Sequence, residues 1–463
     1  MRQRALLGIL SATALLLAAF PFASRGRAEL LYFKAGGRLQ APASVQGGLV
    51  DIDTGFGHAV FRESDFLRIV PGFNPEAEWP SRRAVALQGK APARLSAAWW
   101  ALENGLVEQS EAMIVAAHQA EPDNAEAARL AALVERLRLP LMAPDTTTLQ
   151  QALEVSFEQA HRKHVLLLHQ HSEEVAQARL DVLEHIVSAF YLMFAFQGLD
   201  LPLPTNQLVT VYLRDRASYI RFLESQNAGA FRSTQGYFHP TFRVVLAYDL
   251  HGAGPRLTTL AGEPRRFAVA TVVAPASSRL CDDGERQKLL RAMEESGRDL
   301  GTASHELVHL LVRASGLESE MRRFPYWLAE GLAAQFEVYR GGRGAGIGRA
   351  HDLRLPTWRA ISPAPSLARL VRDVSFGRGY QGDLYAESWA LVRFLQGTRP
   401  GELLTFIDLL RNPDDIDGIP EGDRYLTLFT RAFSDDLEQT EKEWWASTSG
   451  LQTPLEIHAT SHR

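Results

Sequence analysis

The residues that could do chemistry stand closest together at His305-Glu306-Leu307-Val308-His309. Histidines four apart lie about one turn apart on an α-helix, so both imidazoles project from one face and can share a metal ion. Glu306 follows the first histidine, where it can hold a water molecule rather than ligate. Leu307, Leu310 and Leu311 give this helix an apolar side, and Thr302 or Ser304 can take up free N–H groups near its start. Further on the chain reads Pro325-Tyr326-Trp327-Leu328-Ala329-Glu330-Gly331. Pro325 suits the first turn of a second helix, and Trp327, Leu328, Leu332 and Phe336 form its core-facing side. Glu330 falls among apolar and small residues, where an unpaired carboxylate is costly to bury. Gly331 removes a side chain beside it and lets a neighbouring helix approach. Two histidines and a glutamate with an open fourth position form the arrangement expected of catalytic zinc. The alternative, histidines lining a core and Glu330 as surface charge, leaves the coincidence of features unexplained.

The pair HELVH and WLAEGLAAQFE resembles the gluzincin superfamily, metallopeptidases whose third ligand is a glutamate on a following helix. The W-L-x-E-G-x-A phrase is similar to that of zinc aminopeptidases of the leukotriene-hydrolase type. The wider layout, a small N-terminal module and a Pro-Tyr-Trp-Leu approach to the glutamate, resembles the bacterial peptidase MA-like group. The strong resemblance covers about residues 300–339 and a weaker one roughly 149–445. It implies that His305, His309 and Glu330 bind Zn²⁺ and that Glu306 is the general base. It also implies a proton donor beyond the third ligand. Tyr380 and Tyr385 stand in a stretch similar to the tyrosine-bearing segment of leukotriene-hydrolase-type enzymes, in which the second tyrosine is catalytic, so Tyr385 is the expected oxyanion donor. The other reading of Tyr385 is packing against Trp389 one turn on. Met293-Glu294-Glu295 is similar to the amine-anchoring signature of aminopeptidases, but it lies about three helical turns before His305. It reads as solvated helix surface, and cleavage inside peptides is expected.

These residues must be positioned by a chain of 463 residues, long enough for two or three domains. Hydrophobic content of 46% and charged content of 22% are those of a globular protein, and a net charge of −5 argues against a nucleic-acid partner. Residues 1–28 read as a secretory signal: Arg2 and Arg4, an apolar run from Ala5 to Phe20, then small residues around Gly26-Arg27-Ala28. An uncleaved anchor is the alternative; no later stretch is long and apolar enough to span a bilayer. Cys281 is the only cysteine, so no intrachain disulfide forms. The mature chain is expected to be extracytoplasmic, in a bacterial periplasm or secreted.

The expected fold class is α+β, with a zincin-like (thermolysin-like) catalytic domain and an all-helical C-terminal lobe. A small all-β module (29–75) and a short tetratricopeptide-like helical segment (79–139) precede it. The two N-terminal modules could take a protein partner; without clustered exposed aromatics, a cap for the next domain is favoured. Residues 139–148 read as a linker and 148–447 as the metallopeptidase domain. Within it, helices are predicted near 149–159, 173–196 and 218–225, with strands at 165–169, 208–213 and 243–248. The last strand is the expected sheet edge for an extended peptide. His161, His164, His169 and His171 are expected in a solvated segment around a strand rather than in a second metal site, because His169 and His171 are read as lacking a carboxylate or cysteine companion. Residues 252–284 are expected as a loop bordering the cleft and 448–463 as a flexible tail.

The expected activity is hydrolysis of peptides or unfolded proteins by a zinc metallopeptidase. A catalytically idle envelope scaffold and a zinc hydrolase of non-peptide substrates are the alternatives. An intact Glu306 argues against the scaffold.

Overall fold

The computed structural model describes residues 27–54, 58–153, 156–248, 280–318, 323–340, 343–344, 346–362, 364–373, 381–412, 419–453 and 456. Most of the expected signal, most of the loop at 252–284, and Tyr380 lie outside them. No helix among the described residues is long and apolar enough to cross a membrane.

The chain opens as an antiparallel sheet of β1 (Arg27–Phe33), β2 (Arg38–Gln46), β3 (Leu49–Asp53), β4 (His58–Arg62) and β5 (Phe66–Pro71), in the order β4-β3-β2-β1-β5. Gly47 and Gly48, both at positive φ, make the two-residue turn between β2 and β3 that a tight hairpin requires. One face buries Leu31, Phe33, Val50, Ile52, Phe61 and Phe66 together with Leu289, far down the chain. Four helices follow: α1 (Pro75–Gln88), α2 (Ala91–Glu103), α3 (Val107–Ala120) and α4 (Ala125–Arg138). Sequence periodicity suggests a helical segment from 79 with three amphipathic pieces, beginning at Leu95, Ala112 and Pro122, and so lacks α1 as a separate helix. α1 instead begins at Pro75, because Asn74 caps it by accepting the Ala77 N–H. Leu95, Leu102, Ile114, Leu130 and Val134 join the main core, so the segment is packed against the rest of the chain. Nor is 139–148 a free tether. Leu141 N–H donates to Lys163 O, and Met142 exchanges backbone bonds with Thr205 and Gln207.

The next elements are α5 (Thr147–Ala152), β6 (Glu158–His161), β7 (Val165–His169), α6 (Glu173–Phe196), β8 (Leu208–Leu213), α7 (Arg216–Ser225), β9 (Gly236–His239) and β10 (Val244–Tyr248). The helix expected over 149–159 stops at Ala152, and β6 takes the later residues. The sheet order is β6-β7-β8-β10-β9, with β7, β8 and β10 parallel and both outer strands antiparallel. The expected edge strand is therefore wrong. β10 is interior, paired on both sides, and β9 is the terminal strand. Arg243, at φ 53, belongs to the β9–β10 turn rather than the strand. β7, β8 and β10 are buried throughout, which is why they read as continuous apolar runs.

The remaining elements are α8 (Asp283–Ala314), α9 (Tyr326–Ala334), the short pair β11 (Tyr339–Arg340) and β12 (Arg343–Gly344), α10 (Arg354–Ala360), α11 (Leu367–Val371), α12 (Gln381–Thr398), α13 (Pro400–Arg411), α14 (Glu421–Ala432) and α15 (Leu437–Ser449). The fold is thus mixed α+β, with an N-terminal β module and a helical C-terminal region. α8 starts about five turns earlier than expected: Asp282 and Glu285 form a reciprocal capping box, leaving Thr302 and Ser304 mid-helix. Its first turns rest on the β module, where Arg286 donates to the Gly36 carbonyl and Leu289 enters the β core. The expected C-terminal tail is docked at least in part. Thr448 is buried and accepts from Trp358 Nε1 at 3.0 Å, and Arg359 bonds the Leu451 carbonyl and Glu456.

The four clustered histidines are not a solvated segment either. His164, His169 and His171 are buried, and His161 bonds Gln207. His164 has a carboxylate partner from α6: Glu184 accepts from His164 Nδ1 at 2.7 Å and from the backbone N–H groups of His164 (2.6 Å) and Val165 (2.9 Å). Burial alone would raise the Glu184 carboxyl, but these bonds hold it below the usual carboxylate range. A depressed carboxyl stabilises the fold above its unfolded value and loses that contribution as pH falls through the folded one. Glu184→Gln should therefore cost about 3 kcal/mol near neutral pH. The difference from wild type should shrink below about pH 4. Urea unfolding of both proteins at neutral and acid pH checks this, and an equal gap at both would refute it.

Candidate metal and catalytic site

α8 carries His305, Glu306 and His309, α9 carries Glu330, and α12 carries Tyr385. The structure brings the two imidazoles and Glu330 together. His305 Nε2 lies 2.9 Å from Glu330 Oε2 and 3.1 Å from His309 Nε2, and His309 Nε2 lies 3.6 Å from Glu330 Oε2. Bonds of 2.0–2.1 Å in a tetrahedral site imply donors about 3.3 Å apart. The observed triangle brackets that value, and these three residues form a group that could hold a metal ion.

The approach of α9 depends on glycine. A Cβ at Gly331 would strike the Ser388 carbonyl and Val392 of α12. Buried Gln335 then ties the two helices, its Nε2 donating to the Gly331 and Trp389 carbonyls. Gly301, one turn before His305, lets the Glu337 backbone lie against α8, since a Cβ there would meet the Glu337 carbonyl at 2.9 Å.

Glu337 is the residue that sequence reasoning missed. His305 Nδ1–H donates to its Oε1 at 2.6 Å, which leaves Nε2 directed at the Glu330–His309 pair. The other Glu337 oxygen accepts from His351 Nε2 at 2.7 Å, and Arg354 spans both oxygens at 3.2 Å. His351 is itself set by α10, its Nδ1 accepting the Leu353 and Arg354 backbone N–H groups. This relay fixes the tautomer and ring orientation of His305. The only sequence signal is Glu337's position two turns after Glu330. His351 and Arg354 carry none, because they arrive through a loop and a short helix.

The electrostatics follow from burial. Burial alone would raise the Glu337 carboxyl, yet Arg354, His305 and His351 hold it well below the usual range. Burial would lower His305, but Glu330 and Glu337 outweigh it and push it up to about 10. Glu330 is likewise held far down despite burial, by His309 and His305. Positive charge is thus favoured at the point where the three donors converge. Burial raises Glu306 against the pull of His305 and His309; the Phe238 backbone of β9 hydrogen-bonds it. Gly236 makes that contact feasible, since a Cβ there would meet Thr302 Cγ2 at 2.7 Å and Glu306 Cγ at 2.8 Å.

Tyr385 lies beside the first histidine, its ring 6.1 Å from the His305 ring and 4.9 Å beneath the Arg354 guanidinium. The carboxylate of Glu330 and then burial raise its hydroxyl far above the ordinary tyrosine value. Glu294 is exposed and paired with Arg298, as expected of solvated helix surface, whereas Met293 is half-buried against the core of the β module.

A family described as "Protein of unknown function (DUF1570)" matches residues 299–415. That span holds His305, Glu306, His309, Glu330, Glu337, His351, Arg354 and Tyr385, and it excludes the sheet and both N-terminal modules. No curated protein matches the chain.

Glu337→Gln leaves Arg354 and His351 without their carboxylate, so it should lower stability by about 3 kcal/mol while the chain still folds. Because Glu337 orients a candidate ligand without itself facing the donor triangle, its effect on the metal is separate from that loss. The substitution should weaken metal binding by about 10–100-fold. Competition against a calibrated chelator measures this, and unchanged affinity would make the relay a structural feature only.

Proposed function

We propose that this protein is an extracytoplasmic zinc metallopeptidase of the gluzincin type, similar to the peptidase MA-like group, cleaving within peptides or unfolded proteins. The observation that carries the reading is the convergence of His305, His309 and Glu330, with Glu306 beside them and Tyr385 on the facing helix. The donor set suits zinc: two imidazoles and one carboxylate, oriented by a buried carboxylate behind the first histidine. A zinc ion held there would supply a Lewis acid and lower the pKa of water toward about 7.

The chain's own groups supply the rest. Glu306, steadied by β9, would take a proton from the attacking water as its oxygen bonds to the scissile carbon. It would return that proton to the amine as the C–N bond breaks. The Tyr385 hydroxyl would donate to the developing oxyanion. β9 ends the sheet beside Glu306, and an extended peptide paired along it would be held by backbone bonds without reading side chains. The basic, apolar and small-residue leader supports export.

Glu306→Gln should keep bound zinc and the fold while abolishing hydrolysis of an unfolded protein substrate. Loss of metal along with activity would make Glu306 structural. In the same assay Tyr385→Phe should lower kcat by roughly a hundred-fold with KM little changed, because that bond forms mainly in the transition state. Full turnover with zinc retained would exclude Tyr385 as the donor.

Cleavage inside peptides follows from the exposed position of Glu294 and the lack of a free-amine anchor in that stretch. A peptide and its N-acetylated form should be cut at similar rates. If acetylation stops cleavage, the enzyme is an aminopeptidase.

A further inference from the structure

A second group of potential ligands lies away from the α8–α9 junction, at the other edge of the central sheet. Glu158 of β6 is the register partner of His169, the last residue of β7, so the two side chains share a face. Glu173, the first residue of α6, follows four positions after His169. One donor atom from each of the three lies within 4.8 Å of the others.

His169 is the decisive member. It is fully buried, and neither ring nitrogen has a hydrogen-bond partner. A buried imidazole without partners is costly, and such orphaned polar atoms call for a ligand. Both carboxylates are exposed and can rotate toward it. Bonds of about 2.1 Å place opposite ligands about 4.2 Å apart, so small side-chain rotations close the shell. The positive end of α6, equivalent to about +0.5 charge, opposes a cation here. Two carboxylates outweigh it.

We propose that Glu158, His169 and Glu173 form a second divalent-cation site. One imidazole and two carboxylates suit a borderline ion such as zinc or manganese. The ion would clamp β6, β7 and the start of α6. It would also bear on α8, because His169 is the register partner of Tyr212, whose hydroxyl donates to the Asp299 carbonyl at 3.2 Å. Its role is a brace on the sheet rather than catalysis, and it does not depend on the peptidase reading.

The test is zinc content of the full chain by elemental analysis, together with melting temperature with and without added zinc. The wild-type chain should hold two equivalents, and the Glu158→Gln/Glu173→Gln pair one. In a His305→Ala/His309→Ala background one equivalent should remain, and added zinc should raise Tm by about 2–4 °C. Adding the glutamine pair should abolish both effects. Because these glutamates are exposed, the pair should fold even if the histidine variant does not. A single wild-type equivalent, lost with His305 and His309 and untouched by the glutamine pair, overturns this proposal and leaves the catalytic reading standing. Retention of one equivalent by the glutamine pair and none by the His305→Ala/His309→Ala chain has the same meaning. The reverse, one equivalent lost only with the glutamine pair, supports this site and removes zinc from the α8–α9 junction.

Discussion

Three glutamates, 306, 330 and 337, are largely enclosed near the junction of α8 and α9, where a carboxylate is costly unless partners compensate it. The arrangement answers that constraint in layers. Arg354 and His351 neutralise Glu337, Glu337 holds His305, and His305 and His309 face Glu330. Glu306 stands apart from the relay, with a backbone contact from β9. Each group is where it is because its neighbour would otherwise be an uncompensated charge.

Such a network needs helices that cannot drift. α8 is held at its beginning by the β module, along its length by α6 and the sheet, and near His305 by the Glu337 segment. α9 is held to α12 by the contact at Gly331 and by Gln335. Three glycines, 236, 301 and 331, sit where backbone or a neighbouring side chain comes closer than a Cβ allows. The N-terminal helices reach the same core, and the backbone of Gly346 packs against the Glu103 carbonyl at the α2–α3 turn. Modules that look separable in sequence therefore share packing with the site.

Local chemistry was legible where periodicity and composition coincide over short spans. β7, β8 and α6 fall where their apolar runs and flanking turns predict, because fully buried strands and a long amphipathic helix leave unmistakable patterns. The misreadings share a cause. β9 is four residues long and half-buried, so it carries little pattern, and the longer, more apolar β10 reads as the edge although pairing makes it interior. Residues 158–159 of β6 fall inside the predicted helix because strand pairing with β7, not local propensity, decides their conformation.

The sequence by itself determined the His305–Glu306–His309 face and the apolar setting of Glu330, because one helical turn and a run of core residues are local properties. It also determined the α+β class and the helical C-terminal region. Only the tertiary structure decided that Glu337, His351 and Arg354 stand behind His305, that Phe238 meets Glu306, and that His169 is buried beside Glu158 and Glu173. Those contacts join residues from different elements across loops, and their cost or benefit exists only after burial has removed water. Spacing along the chain carries no record of that.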